Sequence, residues 1–172
     1  MTEISGSVPP PAPANAAPAV LARKRAAATM LITDPAGRLL VVDPTYKPRW
    51  ELPGGAVEAD ESPAAAAHRE VVEELGLSIA PGRLLALDYV PAEGVHGEGL
   101  IVVFDGGELD DLIDVVLPPD ELGDAAFVDV EDLDAYLPAL QARRARAALA
   151  ARATGTVAYL EDGHPPRHRP EA

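Results

Sequence analysis

Short apolar runs separated by turn residues open the chain and predict β structure. The stretch "AAATMLITDPAGRLLVVD" holds two partly β-branched apolar runs on either side of "DPAG", whose proline and glycine suit a tight turn. This pattern predicts a β-hairpin. In "WELPGG", Trp50 and Leu52 predict a short strand that ends at the proline and the paired glycines.

A helix is predicted directly after this turn. Ser62 can cap free backbone amides, Pro63 suits the first helical position, and Gly76 suits the residue that ends a helix. Charged side chains occupy one part of its circumference. Its apolar side is predicted from helical spacing to contain Ala64, His68, Val71, Val72 and Leu75.

The second half of the chain continues the alternation of strands and helices. The runs "RLLALDYV", "GLIVVFDGG" and "AAFVDV" predict three further strands, which gives about six in total. The segment "PALQARRARAALAARATG" predicts a terminal helix with Leu140 and Leu149 on its apolar side and its arginines exposed. Together these elements predict one α/β (α+β) domain, with a mixed sheet layered between helices.

Composition separates this domain from both ends of the chain and limits its partners. Residues 1–22 are rich in Pro and Ala and predict a disordered tail, and residues 164–172 predict a flexible one. The formal net charge of −14 argues against polymeric nucleic acid and anionic membranes as partners. The absence of cysteine and of an export signal or long apolar run predicts a cytoplasmic protein.

Candidate chemistry is concentrated in the predicted central helix. Glu70 lies three and four residues before Glu73 and Glu74, so the three carboxylates are predicted to share one side of the helix and to converge. Like charges this close repel each other unless a cation lies among them, and Mg²⁺ prefers carboxylate oxygens. The alternative interpretation is an ordinary solvated acidic face, which is common for a run such as "REVVEEL".

The wider spacing of this segment resembles the signature of the Nudix hydrolases at every defined position. The matching residues are Gly55, Glu61, Arg69, Glu70, Val71, Glu73, Glu74, Gly76 and Leu77. The resemblance implies an α/β/α sandwich over residues 23–163, with the motif at 55–77. It also implies hydrolysis of a diphosphate linkage in a nucleoside diphosphate joined to another group.

The same resemblance implies roles for individual residues. Mg²⁺, or Mn²⁺, would be held by Glu70, Glu73 and Glu74, with the backbone carbonyl of Gly54 or Gly55 as a further ligand. Arg69 would hold a glutamate in place and Glu61 would add a supporting charge. The general base would be a motif glutamate or an acid outside the motif, for which Glu121 is the candidate.

Several residues outside the motif are weaker candidates with an ordinary structural alternative. Lys47 and Arg49 could bind phosphates or be solvated loop residues, and Trp50 could stack on a base or pack in the core. His96 could line a pocket or lie in solvent. His68 is expected to pack on the buried side of the helix, and His164 and His168 are expected to have no role in the site.

Substrate and assembly stay open at the level of sequence. Pro91 lies near the place where a proline marks family members that cleave ADP-ribose. As candidate substrates, nucleotide sugars or ADP-ribose-like compounds are therefore ranked almost equally with nucleoside triphosphates. The resemblance also makes a homodimer an option. The alternative function is a catalytically silent Nudix-like module that senses nucleotides or binds protein.

Overall fold

A computed structural model describes residues 23–94 and 97–166 of the chain. The predicted disordered tail at 1–22, most of the predicted C-terminal tail and the two histidines His96 and His168 lie outside these ranges. In the described part, one mixed sheet carries helices on both faces, which confirms the predicted fold class.

The sheet has seven strands in the described part of the chain, and their order across it is β6-β2-β1-β5-β4-β7, with β3 paired to β1. The parallel pairs are β1 with β5 and β4 with β7. The strand bounds are β1 Arg25–Thr33, β2 Leu39–Pro44, β3 Gly54–Ala56, β4 Leu84–Val90, β5 Gly99–Glu108, β6 Leu122–Val128 and β7 Ala158–Glu161.

The prediction of a strand at Trp50 and Leu52 was wrong. Glu51 makes an isolated bridge with Val42, and the strand itself begins at Gly54. Gly54 pairs with Thr29 of β1 at a φ of 137°, and a Cβ there would overlap the Ala28 carbonyl oxygen. Because glycine tolerates this conformation and close approach, β3 begins at the glycines rather than ending before them.

The motif helix, α1, spans Pro63–Leu75, as its predicted start and stop require. The Ser62 hydroxyl accepts a hydrogen bond from the Ala65 amide, and Gly76 ends the helix with a φ of 69°. The predicted apolar face was wrong in part, since Val72 is 40% exposed whereas Glu74 is 8% exposed. Contact with β3 turns Glu74 inward and Val72 outward.

The remaining helical segments are a short 3₁₀ turn at Val130–Asp132, α2 at Leu133–Tyr136 and α3 at Ala139–Thr154. The buried residues of α3 are mostly alanines, which let the helix lie close to the sheet, whereas Leu140 and Leu149 are half-buried. The prediction that every arginine of this helix is exposed was wrong, because Arg144 is 6% exposed and pairs with Asp88 of β4.

The core consists of two apolar layers, one on each face of the sheet. Met30, Ile32 and Leu75 belong to the layer beneath α1. Leu31, Val103 and Leu160 belong to the layer beneath α2 and α3. No described helix has the length and apolar character needed to cross a membrane.

Candidate active site

Glu74 of α1 is a buried carboxylate fixed to the glycine turn. Its Oε2 accepts a hydrogen bond of 2.8 Å from the backbone amide of Gly54. Burial raises the pKa of Glu74 to about 8, and the negative charges of Glu70 and Glu51 add to that effect. The Gly54 amide opposes the rise because it stabilises the ionised form.

Glu70 lies one helical turn before Glu74 and packs against the same turn. A Cβ at Gly55 would overlap its carboxylate, so the close approach depends on glycine at that position. Burial raises the pKa of Glu70, while the neighbouring Arg69 guanidinium lowers it. Two partly or fully buried carboxylates therefore face the β3 backbone.

Arg69 links the motif acids to each other. Its guanidinium contacts Glu61 at 2.9 Å, Glu70 at 2.9 Å and Glu73 at 3.0 Å, the last across an i, i+4 spacing on α1. It also donates to the backbone carbonyl of Ala56. Hydrogen bonding to Arg69 lowers the pKa of Glu61, which keeps this carboxylate ionised. Arg69 thus ties the loop after β3 to the helix.

The three helix glutamates do not converge on one point. The side chain of Glu73 is 54% exposed and pairs with Arg69 at 3.0 Å, whereas Glu74 is buried and bonded to the Gly54 amide. Within residues 23–94 and 97–166, no three His, Cys, Asp or Glu side chains are close enough to hold a metal ion. The donor chemistry nevertheless fits a hard divalent cation, because the partly buried Glu70 and the buried Glu74 offer carboxylate oxygens beside the β3 turn.

These acids open onto a cavity of about 800 Å³ between α1, α3 and the strands. It lies beside the N-terminal part of β1, where residues 27–29 pair with β3. The other end of β1 pairs with β2. Among the predicted site residues, the lining contains Lys47, Gly54, Gly55, Glu70, Glu74 and Glu121. Polar lining residues that the sequence did not indicate are Lys24, Arg25, Thr29, Tyr46, Glu51, Glu58, Gln141 and Arg144.

Glu51 is an acidic residue of this cavity that the sequence did not indicate. Its side chain is 14% exposed and forms a 2.9 Å ion pair with Lys47. The only available signal was its place two residues before Pro53, at the approach to the glycine turn. The pair places one cation and one further acid beside Glu74.

The predicted residues outside the motif fall in different places. Glu121 lies immediately before β6, and its carbonyl accepts a hydrogen bond from the Thr45 amide. Arg49 instead approaches the backbone carbonyls of Asp134 and Ala135, and Trp50 packs edge-on against Tyr136 at 5.4 Å. Neither Arg49 nor Trp50 contributes to the described lining of the cavity.

The other candidates lie away from the glutamates. Pro91 and His164 line a second cavity of about 710 Å³, and the backbone of His164 pairs with Glu161. His68 is half-buried, and its Nε2 lies 3.3 Å from the Ser78 hydroxyl. Pro91 is therefore not among the described residues that line the first cavity.

Comparison with known proteins agrees with this architecture. A segment of 66 residues is 41% identical to diphosphoinositol polyphosphate phosphohydrolase 2 of Rattus norvegicus, and it covers 38% of this chain and 37% of that protein. The chain thus matches only about a third of that relative's length.

Solved structures resemble the chain over a larger part of its length. The MutT protein from Methanosarcina mazei Go1 has a TM-score of 0.62 at 26% identity, covering 77% of this chain and 95% of that one. A UDP-X diphosphatase has a TM-score of 0.69 at 20% identity, covering 83% and 69%, which is a likeness of fold alone.

The family assignment depends on the domain as a whole. The family model described as NUDIX domain matches residues 23–151, which include the sheet, the glycine turn and α1 with its glutamates. Since this match spans most of the chain, the protein belongs to the Nudix family.

Proposed function

We propose that this protein is a metal-dependent hydrolase that cleaves a diphosphate linkage in a nucleotide-type substrate. The observation that supports it most is the placement of Glu70 and Glu74 against the β3 glycines on the wall of a large cavity. Names of similar proteins, a diphosphoinositol polyphosphate phosphohydrolase and a UDP-X diphosphatase, point to phosphorus anhydrides as the bond class.

Glu70 and Glu74 are the residues that would hold Mg²⁺ or Mn²⁺, together with a β3 carbonyl and with Glu73 at the exposed rim. A bound divalent ion supplies neutralisation of the diphosphate charge and a lower pKa for water. The Gly54 amide fixes the Glu74 carboxylate, and Arg69 restrains Glu70 and Glu73. Fixed ligands reduce the reorganisation that accompanies the reaction.

The reaction requires a water oxygen to form a new P–O bond while the bridging P–O bond breaks. The departing phosphate takes the electron pair, and the proton of the water must pass to a base. Glu121 is the proposed acceptor, because it lines the cavity and its carboxylate makes no hydrogen bond within the described residues. Glu51, by contrast, is already paired with Lys47.

The substrate is a nucleotide sugar, an ADP-ribose-like compound or a nucleoside triphosphate. A chain with a formal charge of −14 repels such anions at long range. Lys47 is the cavity cation beside the glutamates and would contact the phosphates. Arg49 and Trp50 are not proposed to bind the substrate, because both contact residues of α2.

The test is a hydrolysis screen with Mg²⁺ or Mn²⁺ over nucleotide sugars, ADP-ribose, nucleoside triphosphates and diphosphoinositol polyphosphates. We expect turnover of at least one compound by the wild type, and a loss of about a hundredfold or more in Glu74→Gln. Glu131→Gln, an exposed substitution in the 3₁₀ turn, is the matched control and should keep wild-type activity. Unchanged activity in Glu74→Gln, or binding without turnover under either metal, would contradict the proposal.

A further inference from the structure

Arg144 is a buried cation at the cavity that the hydrolysis of a diphosphate does not account for. It projects from α3, is 6% exposed and lines the same cavity as Glu70 and Glu74. Its Nε donates to Asp88 Oδ2 at 2.8 Å. Asp88 is fully buried, and its other oxygen accepts from the Gly163 amide at 3.0 Å, so Asp88 is itself fixed and holds Arg144 in place.

The guanidinium of Arg144 has donors beyond the one that binds Asp88. Nε makes the one hydrogen bond found for this side chain in the described residues, which leaves the four N–H groups of Nη1 and Nη2 without a protein acceptor. In the same part of the chain, Thr29 Oγ1 is the single fully buried side-chain N or O atom that lacks a partner. The Nη atoms of Arg144 therefore retain accessible surface, and the cavity is the space that Arg144 lines.

Strand register separates Arg144 from the glutamates. Gly54 of β3 pairs with Thr29 of β1, whose neighbour two residues earlier, Ala27, pairs with Ile101 of β5. Ile101 pairs in turn with Asp88 of β4. Three strand spacings lie between Gly54 and Asp88, or roughly 14 Å across the sheet. This distance exceeds the reach of one diphosphate group.

The surroundings of Arg144 favour an anionic ligand. Lys24 and Arg25 line the same cavity, and each is partly engaged, Lys24 with Glu98 and Arg25 with the Gly97 carbonyl. Lys24 and Arg25 are exposed, whereas Arg144 is buried and is held by a buried carboxylate. A guanidinium with two free N–H pairs matches the paired oxygens of a phosphate or carboxylate.

We propose that Arg144 is a specificity-determining residue that binds a second oxyanion, a phosphate or a carboxylate, on the part of the substrate remote from the cleaved bond. Asp88 is its positioning residue. The proposal rests on the proposed function for the identity of the cleaved group. It predicts that substrates with an anionic group at their far end are preferred over otherwise identical neutral ones.

The experiment measures dissociation constants by calorimetry for three matched ligand pairs in the presence of Mg²⁺. The pairs are NADPH and NADH, coenzyme A and dephospho-coenzyme A, and UDP-glucuronate and UDP-glucose. The full-length Glu74→Gln chain is used so that hydrolysis is suppressed during the titration. We expect the charged member of at least one pair to bind tenfold or more tightly, which corresponds to about 1.4 kcal/mol. The phosphate and carboxylate pairs distinguish the two sources of the oxyanion.

Arg144→Lys, added to Glu74→Gln, keeps a positive charge for Asp88 but lacks the two Nη groups. We expect the ratio of the two dissociation constants within a pair to fall to about one, while the dissociation constant of the neutral ligand stays the same. Arg143→Lys is the matched control, because Arg143 is the adjacent arginine, is bonded to Asp162 and is not part of the described lining. It should leave the ratio unchanged.

Equal dissociation constants within all three pairs for the protein with Arg144 intact would overturn the proposal, even if Arg144→Lys fails to fold. Discrimination that survives in a folded Arg144→Lys variant would also overturn it. The hydrolysis screen is independent of this ratio. Ligand discrimination without turnover would contradict the proposed function alone, and turnover without discrimination would contradict this inference alone.

Discussion

Gly54 and Gly55 shape the site because neither has a Cβ, which lets other atoms approach their backbone closely. A Cβ at Gly54 would overlap backbone, whereas one at Gly55 would overlap only the side-chain carboxylate of Glu70. The two positions therefore separate stability from site geometry. Gly54 allows β3 to pair with β1, and Gly55 allows Glu70 to lie against the turn.

Gly55→Ala should displace the Glu70 carboxylate with little effect on the fold. We expect turnover to fall about 10–100-fold, the loss typical when the support of a metal ligand is disturbed. The measurement is kcat/KM at several Mg²⁺ concentrations, together with the melting temperature. Gly123→Ala is the control, since its added Cβ would meet no atom closer than 3.8 Å. Equal activity in both variants would show that Glu70 does not need this position.

The roles of single residues could be predicted from sequence only where the chemistry is local. Arg69 and Glu73 lie four residues apart on one helix, and this local spacing is enough to indicate the ion pair that the structure contains. Arg144 could not be predicted in this way, because its partner Asp88 lies 56 residues earlier on a strand. Helical periodicity alone assigned this arginine to solvent.

The ends of helix α1 depend on local residues, whereas the strands depend on partners that are distant in sequence. Both ends of α1 followed from Ser62, Pro63 and Gly76, because caps depend on neighbouring residues. The bounds of β3 depend on pairing with β1, and β7 depends on parallel pairing with β4, so neither was set by its own composition. Parallel neighbours in particular are distant in sequence.

The contact between α3 and β4 supplies a test of what joins these two elements. Asp88→Asn removes the counter-charge of Arg144 while keeping a similar shape, so a buried cation loses its partner. We expect the free energy of unfolding in urea to fall by about 3–5 kcal/mol. Asp134→Asn, which weakens the exposed pair with Arg146, should change it by at most about 1 kcal/mol. Equal losses in the two variants would mean that burial does not matter to the Asp88 pair.

At the scale of the whole molecule, the buried Glu74 of the site lowers the stability of the folded domain. The apolar layers on both sheet faces are closed by Leu, Val, Ile and Ala, yet Glu74 is buried at their edge. Its raised pKa means that the folded state favours the neutral acid. As pH rises from the ordinary glutamate range through about 8, the folded state must accept this charge, so stability falls across that window.

Glu74→Gln should therefore stabilise the protein in the absence of divalent metal. At pH 8.5 with a chelator, we expect a gain of about 0.5–2 kcal/mol, with the melting temperature rising by about 2–4 °C for each kcal/mol. Adding Mg²⁺ should raise the melting temperature of the wild type, because a ligand that binds only the folded state stabilises it. The variant should respond less, since it lacks one carboxylate of the proposed metal site. Glu131→Gln should behave as wild type in both conditions. A lower melting temperature for Glu74→Gln with chelator present would contradict this expectation. It would show that the buried carboxylate stabilises the fold even without a metal ion.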